Sequence, residues 1–271
     1  MSTSPIDRSR AGAWPAYASF FQRSLSSHLA YASSVWVNLF AMAAGFGFTL
    51  LVWAYAKGVN PDNARFFAYL ALAFAANFTL GVAFERYVGE RIREGLIATD
   101  LLKPVDYTWL FFWQAMSDVA FQAAFGLLVM LLAWAVLGGA LLPVSAAAFA
   151  FSLVSFALAF LIQFHLGFLF VQMIFATHSN YGPFTTRMLL HMAFSGIFAP
   201  IDIYPSAFRA VAECLPFRHI IYTPCAIWLG RLEGASVWQA LGSQVLWALA
   251  LFAVSRGSFS LLRRHLTIQG G

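Results

Sequence analysis

The chain has 271 residues, 61% of them hydrophobic and 10% charged, with a formal net charge of +5 and a mean hydropathy of +0.74. Soluble domains hold about 45–50% apolar and roughly 25% charged residues, and a chain this short has too little polar surface to coat so much apolar matter. A water-soluble enzyme and a disordered tail are excluded. Only two of the sixteen basic residues are Lys, and they form no long run. That balance argues against a nucleic-acid partner and suits a protein oriented in a lipid bilayer. Two cysteines, Cys214 and Cys225, supply neither a disulfide framework nor a four-ligand zinc site. The composition predicts an all-α, polytopic membrane protein.

Residues 1–32 do not read as a cleavable signal peptide. Arg8 and Arg10 are followed by a stretch containing Gln22, Arg23, His28 and several serines instead of a compact apolar core. Trp14, Tyr17, Phe21, Leu25 and His28 recur at helical spacing, with Ser19, Gln22, Arg23, Ser26 and Ser27 mostly elsewhere on the wheel. This predicts an interfacial helix along the cytoplasmic leaflet. Phe20 and Tyr31 fall outside the stripe, so an irregular tail is the other reading.

A helix needs about 20 mostly apolar residues to cross about 30 Å of hydrocarbon. Six stretches qualify: 33–56, 65–84, 109–137, 144–176, 184–203 and 237–256. They form one transmembrane domain over 33–256, followed by a tail at 257–271. The runs are too long and unbroken for barrel strands. With the N-terminus inside, eleven Lys and Arg fall in cytoplasmic segments and five (Lys57, Arg65, Arg209, Arg218 and Arg231) outside. Both termini are therefore expected in the cytoplasm.

Two polar islands interrupt the apolar pattern. Between the second and third spans stand Glu85, Arg86, Glu90, Arg91, Arg93, Glu94, Asp100, Lys103 and Asp106. On a helix, Arg86, Glu90, Arg93 and Glu94 make i,i+3 and i,i+4 neighbours. Ile92, Leu96 and Ile97 supply an apolar face, Gly95 weakens the helix and Pro104 ends it. The segment 86–103 is either a solvated loop or a docking element for a cytoplasmic partner.

The second island, 200–236, holds Pro200, Pro205, Pro216 and Pro224 yet is rich in Ile, Phe, Tyr and Trp. Four prolines forbid one continuous span. The expectation is a re-entrant pair of half-helices at about 200–228, with Pro200, Pro205, Pro216, Phe217 and Pro224 at its bends and gate. Such backbone survives at membrane depth only where protein buries it or it lines a cavity. A plain outer loop packed on the helix ends is the alternative.

Several short phrases accompany this order of parts. They are Ile92-Arg93-Glu94-Gly95, Leu101-Leu102-Lys103-Pro104, Phe194-Ser195-Gly196, Ala199-Pro200, Tyr204-Pro205, Leu215-Pro216-Phe217, Thr223-Pro224 and the closing Gly270-Gly271. Together they make nearly the whole chain resemble the membrane subunit of an ATP-binding-cassette transporter, in the type-2 (exporter-type) permease family. The resemblance implies a coupling helix at Glu90 to Leu102, with Glu90, Arg91, Arg93, Glu94, Leu96, Leu101 and Leu102 meeting an ATPase. A smaller contact would lie at Thr177 to Pro183. It also implies two cytoplasmic ATPase subunits, a second permease chain (identical or a sister), and the cell's inner membrane as location. ATP and Mg would belong to the ATPase, and no cofactor to this chain.

Motifs that are missing agree with that division of labour. Lys57 is followed by Gly58 and Lys103 by Pro104, so neither ends a phosphate-binding loop. The chain is expected to be no enzyme, with cargo left open. An ATP-independent channel or secondary carrier is the competing class, and it predicts intramembrane charge pairs or an inverted repeat. Asp118 reads as part of a substrate path or, preferably, as one half of a buried pair with Arg187 or Arg86. His165 reads as a helix-to-helix hydrogen bond rather than a proton or metal site. Ser195-Gly196 lacks the first glycine of a serine-protease turn, since Ala193 stands there. Cys214 and Cys225 fall on the predicted outer side, where a disulfide is chemically possible, and buried free thiols are the preferred reading.

Overall fold

The structure, a computed structural model, describes residues 13–265 apart from 31, 59, 82–83, 95, 97–105, 178 and 180. It is helical, with no strand among the described residues. The helices in chain order are α1 (Ala13–Ala30), α2 (Ala32–Lys57), α3 (Ala64–Leu80), α4 (Phe84–Arg93), α5 (Tyr107–Leu137) and α6 (Ala146–Gln172). There follow α7 (Ile174–Thr177), α8 (Tyr181–Phe194), α9 (Ser206–Glu213), α10 (Tyr222–Trp228) and α11 (Ala235–His265).

Four of these are long and apolar enough to cross a membrane: Leu39–Lys57 within α2, Tyr107–Leu141, Ala146–Gln172 and Ala235–Leu262 within α11. The expected second and fifth spans emerge as shorter helices, α3 with 17 residues and α8 with 14. Local chemistry ends both. The chain turns extended at Gly81 after α3, and α8 stops at Ser195-Gly196, where Gly196 has φ +85°. That left-handed conformation after a helix C-terminus is the position glycine fills most readily.

α3 lies at the centre. Every residue from Phe66 to Ala76 is buried, as expected of a helix that is apolar all round. It crosses α5 closely at Gly126, where an added Cβ would lie 2.1 Å from Thr79 Oγ1 and 3.0 Å from the Ala75 carbonyl. Small residues at such crossings let apolar backbones approach when lipid offers no hydrophobic drive.

The stripe predicted at the N-terminus is helical, but α5 covers part of it. Phe21 meets Trp113 edge-on, and the Tyr17 hydroxyl accepts from the Asp106 N–H at 3.1 Å. Gln22, Arg23, Ser26 and Ser27 are exposed. At the other end, residues 257–265 are helical and continue α11, with Phe259 stacked on Tyr107 and Ser258 bonded to Gln172. Residues 266–271, with Gly270-Gly271, lie outside the described residues.

Candidate functional site

Of the charged segment after α3, Phe84–Arg93 is helical, and residues 95 and 97–103 of the expected 86–103 element lie outside the described residues. α4 turns Glu85, Val88 and Ile92 toward the bundle, with Glu85 and Val88 buried and Ile92 packed against the core. Its other side carries exposed Tyr87, with Arg91 5.5 Å from the Tyr87 ring centroid. Glu90 and Arg91 are half-buried, whereas Glu94 and Leu96, just past the helix, are exposed. Arg93 is helical, but its side chain and those of Arg86, Leu101 and Leu102 lie outside the description.

What anchors α4 was not anticipated. Arg187 Nε on α8 donates to Glu85 Oε2 at 2.7 Å, and both side chains are almost fully buried. Burial pushes the Glu85 carboxyl up, and the Arg187 guanidinium pulls it back down. The carboxyl rests against α6 at Gly167, where an added Cβ would stand 2.2 Å from Glu85 Oε1. Three helices therefore meet at one carboxylate. Arg187 was the clue available in the sequence, since a cation in an apolar run needs a counter-charge. Nothing local marks Glu85 over its eight charged neighbours.

Asp118 is buried, and the side chain of Arg86, one of its two expected partners, lies outside the described residues. His28 Nε2 of α1 lies 2.8 Å from Asp118 Oδ1. Arg187 is engaged by Glu85, and the packing of α1 on α5 brings His28 to Asp118. One helical stretch away, Asp106 caps α5 by accepting from the N–H groups of Thr108 and Trp109, and it binds Arg256 of α11 through both oxygens at 2.8 and 3.0 Å. Partial burial pushes the Asp106 carboxyl up, but these hydrogen bonds outweigh it and hold the group below the usual carboxylate range.

His165 Nδ1 lies 3.0 Å from Ser255 Oγ, joining α6 to α11. It belongs to a polar ladder with Ser155–Gln244 at 2.8 Å and Ser258–Gln172 at 2.7 Å. Among the described residues no three His, Cys, Asp or Glu side chains converge as a metal site requires.

The apolar, proline-rich island is broken into short helices. α9 is mostly exposed and carries the Arg209–Glu213 pair at 2.9 Å. α10 is buried from Tyr222 to Ile227. Pro200, Pro216, Phe217 and Pro224 are buried, whereas Pro205 is exposed. Gly196 anchors the entry: the Tyr69 hydroxyl donates to its carbonyl at 2.7 Å, and the Tyr222 N–H donates to the Ser195 carbonyl at 3.0 Å. Both cysteines are free, but only Cys225 is buried; Cys214 is exposed and follows the mostly exposed α9. An apolar cleft of 330 Å³ lies between α2, α3 and α5, with Phe46, Leu50, Phe67, Ala71, Leu132 and Val136 among its walls.

A family model described as "ABC-2 family transporter protein" matches residues 64–270. No curated protein matches the chain.

Proposed function

The chain belongs to the ABC-2 transporter family, and from that premise we propose that it is the permease half of an exporter driven by a separate ATPase. Family membership implies an ABC ATPase as partner and a multi-pass place in a membrane. The finer reading has six crossings, with α3 and α8 contributing the second and fifth. A crossing built on α3, whose 17 residues rise about 25 Å, takes in a few flanking residues to reach about 30 Å. Both termini face the cytoplasm of the cell's inner membrane, and α9 and α10 form the re-entrant region on the far side. Two permease chains and two ATPases make the working complex. ATP and Mg sit in the ATPases, whose approach displaces α4 and opens the path. This chain makes and breaks no covalent bond.

The observation that carries the reading is α4 itself. It is an amphipathic helix with one side held in the bundle by Glu85, Val88 and Ile92, an exposed Tyr87 on the other, and exposed Glu94 and Leu96 just past its end. Charges kept at an open edge beside an apolar anchor suit a protein groove better than a bilayer. The test is purification in mild detergent with the ATPase co-expressed. The complex should hydrolyse ATP, and Glu94→Lys should weaken assembly without lowering the permease's own melting temperature. Failure of the ATPase to bind, or labelling of 91–103 from outside the cell, would end the proposal.

A further inference from the structure

We infer that Glu85 and Arg187 are positioning residues that transmit movement of α4 to the outer island through α8, which rests on reading α4 as the ATPase contact. The apolar contacts of α4, at Val88 and Ile92, are non-directional and permit sliding. The ion pair is directional. Its 2.7 Å contact is buried on both sides, and its carboxylate is backed by α6 at Gly167, so α4 does not shift without drawing Arg187. Separating such a pair leaves an uncompensated buried charge, which is strongly unfavourable.

From Arg187, α8 runs unbroken to Phe194, the end of its 14 residues. On the way His191 Nε2 lies 2.9 Å from Asn77 Oδ1 of α3. At its end the Ser195 carbonyl holds the Tyr222 N–H of α10, and the Gly196 carbonyl holds the Tyr69 hydroxyl of α3. The eight residue steps from Arg187 to Ser195 span about 12 Å as a rigid rod. A pull at Glu85 therefore arrives at the segment leading into α9 and α10. The chain thus has a continuous series of directional bonds from its ATPase-facing helix to the predicted exit.

Cys214, exposed at the end of α9, is a native reporter of that exit, and Cys225 is fully buried and silent. The experiment uses the whole complex and measures maleimide labelling of Cys214 with and without ATP plus vanadate. Trapping should change the wild-type rate on the order of fivefold, the low end of ordinary coupling between sites. Glu85→Gln and Arg187→Gln should assemble and hydrolyse ATP yet lose that change, and Arg187→Lys should keep most of it. A structural staple alone would lower the melting temperature and leave the labelling response intact, which overturns the inference. A wild-type complex that hydrolyses ATP with no labelling change overturns it as well. If the ATPase never binds the wild type, the reading of α4 fails first and the inference goes with it.

Discussion

His28 Nε2 of α1 lies 2.8 Å from Asp118 Oδ1 of α5, and the His28 ring stacks on Phe121 with centroids 4.9 Å apart. Ninety residues separate the pair in sequence, so the contact ties the N-terminal helix to the third predicted span. The Asp118 side chain is 2% exposed, which makes a lost partner expensive. His28→Ala should lower stability by about 1–3 kcal/mol, read by thermal unfolding in detergent. Asp118→Asn should lower it less, because the amide oxygen still accepts from the imidazole. Equal melting temperatures for wild type and His28→Ala would remove the pair's structural role.

Gly196 combines φ +85° with a crowded site, since an added Cβ would lie 2.8 Å from the Tyr69 hydroxyl and 3.1 Å from Tyr222 Cβ. Backbone strain alone costs about 1–3 kcal/mol for a non-glycine residue in such a conformation. Gly196→Ala should therefore destabilise the protein more than Tyr69→Phe. The latter removes one hydrogen bond, worth about 1 kcal/mol. Reversal of that order in melting experiments would show that the segment adjusts freely.

The Asp106 carboxyl is held below its ordinary range in the folded protein. A depressed carboxylate contributes stability that is present above its unfolded value, about 4, and is lost as pH falls through the folded value. The melting temperature should therefore fall with acid below about pH 4 more steeply in the wild type than in Asp106→Asn. Parallel acid profiles for the two proteins would sink the assignment. Arg256→Gln should shift the wild-type profile toward that of Asp106→Asn.

Gln244 is fully buried and makes three hydrogen bonds: it accepts from the Ser155 hydroxyl and donates to the carbonyls of Ser155 and His219. Gln244→Leu fills the space but strands those partners, so a loss of about 1–3 kcal/mol is expected. Ser260→Ala, which removes a hydroxyl bonded only within its own helix turn at Gly257, serves as the control and should be near neutral. If Gln244→Leu melts no lower than the control, the ladder between α6 and α11 contributes only packing.

Composition and periodicity by themselves determined the helical class, the amphipathic α1, the charged helix after α3 and the broken island between the last predicted spans. Those properties are local. Apolar residues at helical spacing, a proline that cannot donate and a glycine that tolerates positive φ act over a few residues whatever surrounds them. Family phrases such as Phe194-Ser195-Gly196 were legible for the same reason, since the bend they encode is a property of that short stretch. The lengths of α3 and α8 were less so, because an apolar run continues past the residue where the backbone turns.

Tertiary structure alone decided which charges meet. Glu85 found Arg187 across 102 residues, and Asp118 found His28 across 90. Pairing of buried charges depends on which helices touch, and on small residues such as Gly167 that let a carboxylate reach a backbone. Several arrangements neutralise the same set of side chains, and none is favoured by spacing along the chain. Packing selects one because a buried charge left alone is far costlier than a helix rotated to meet its partner.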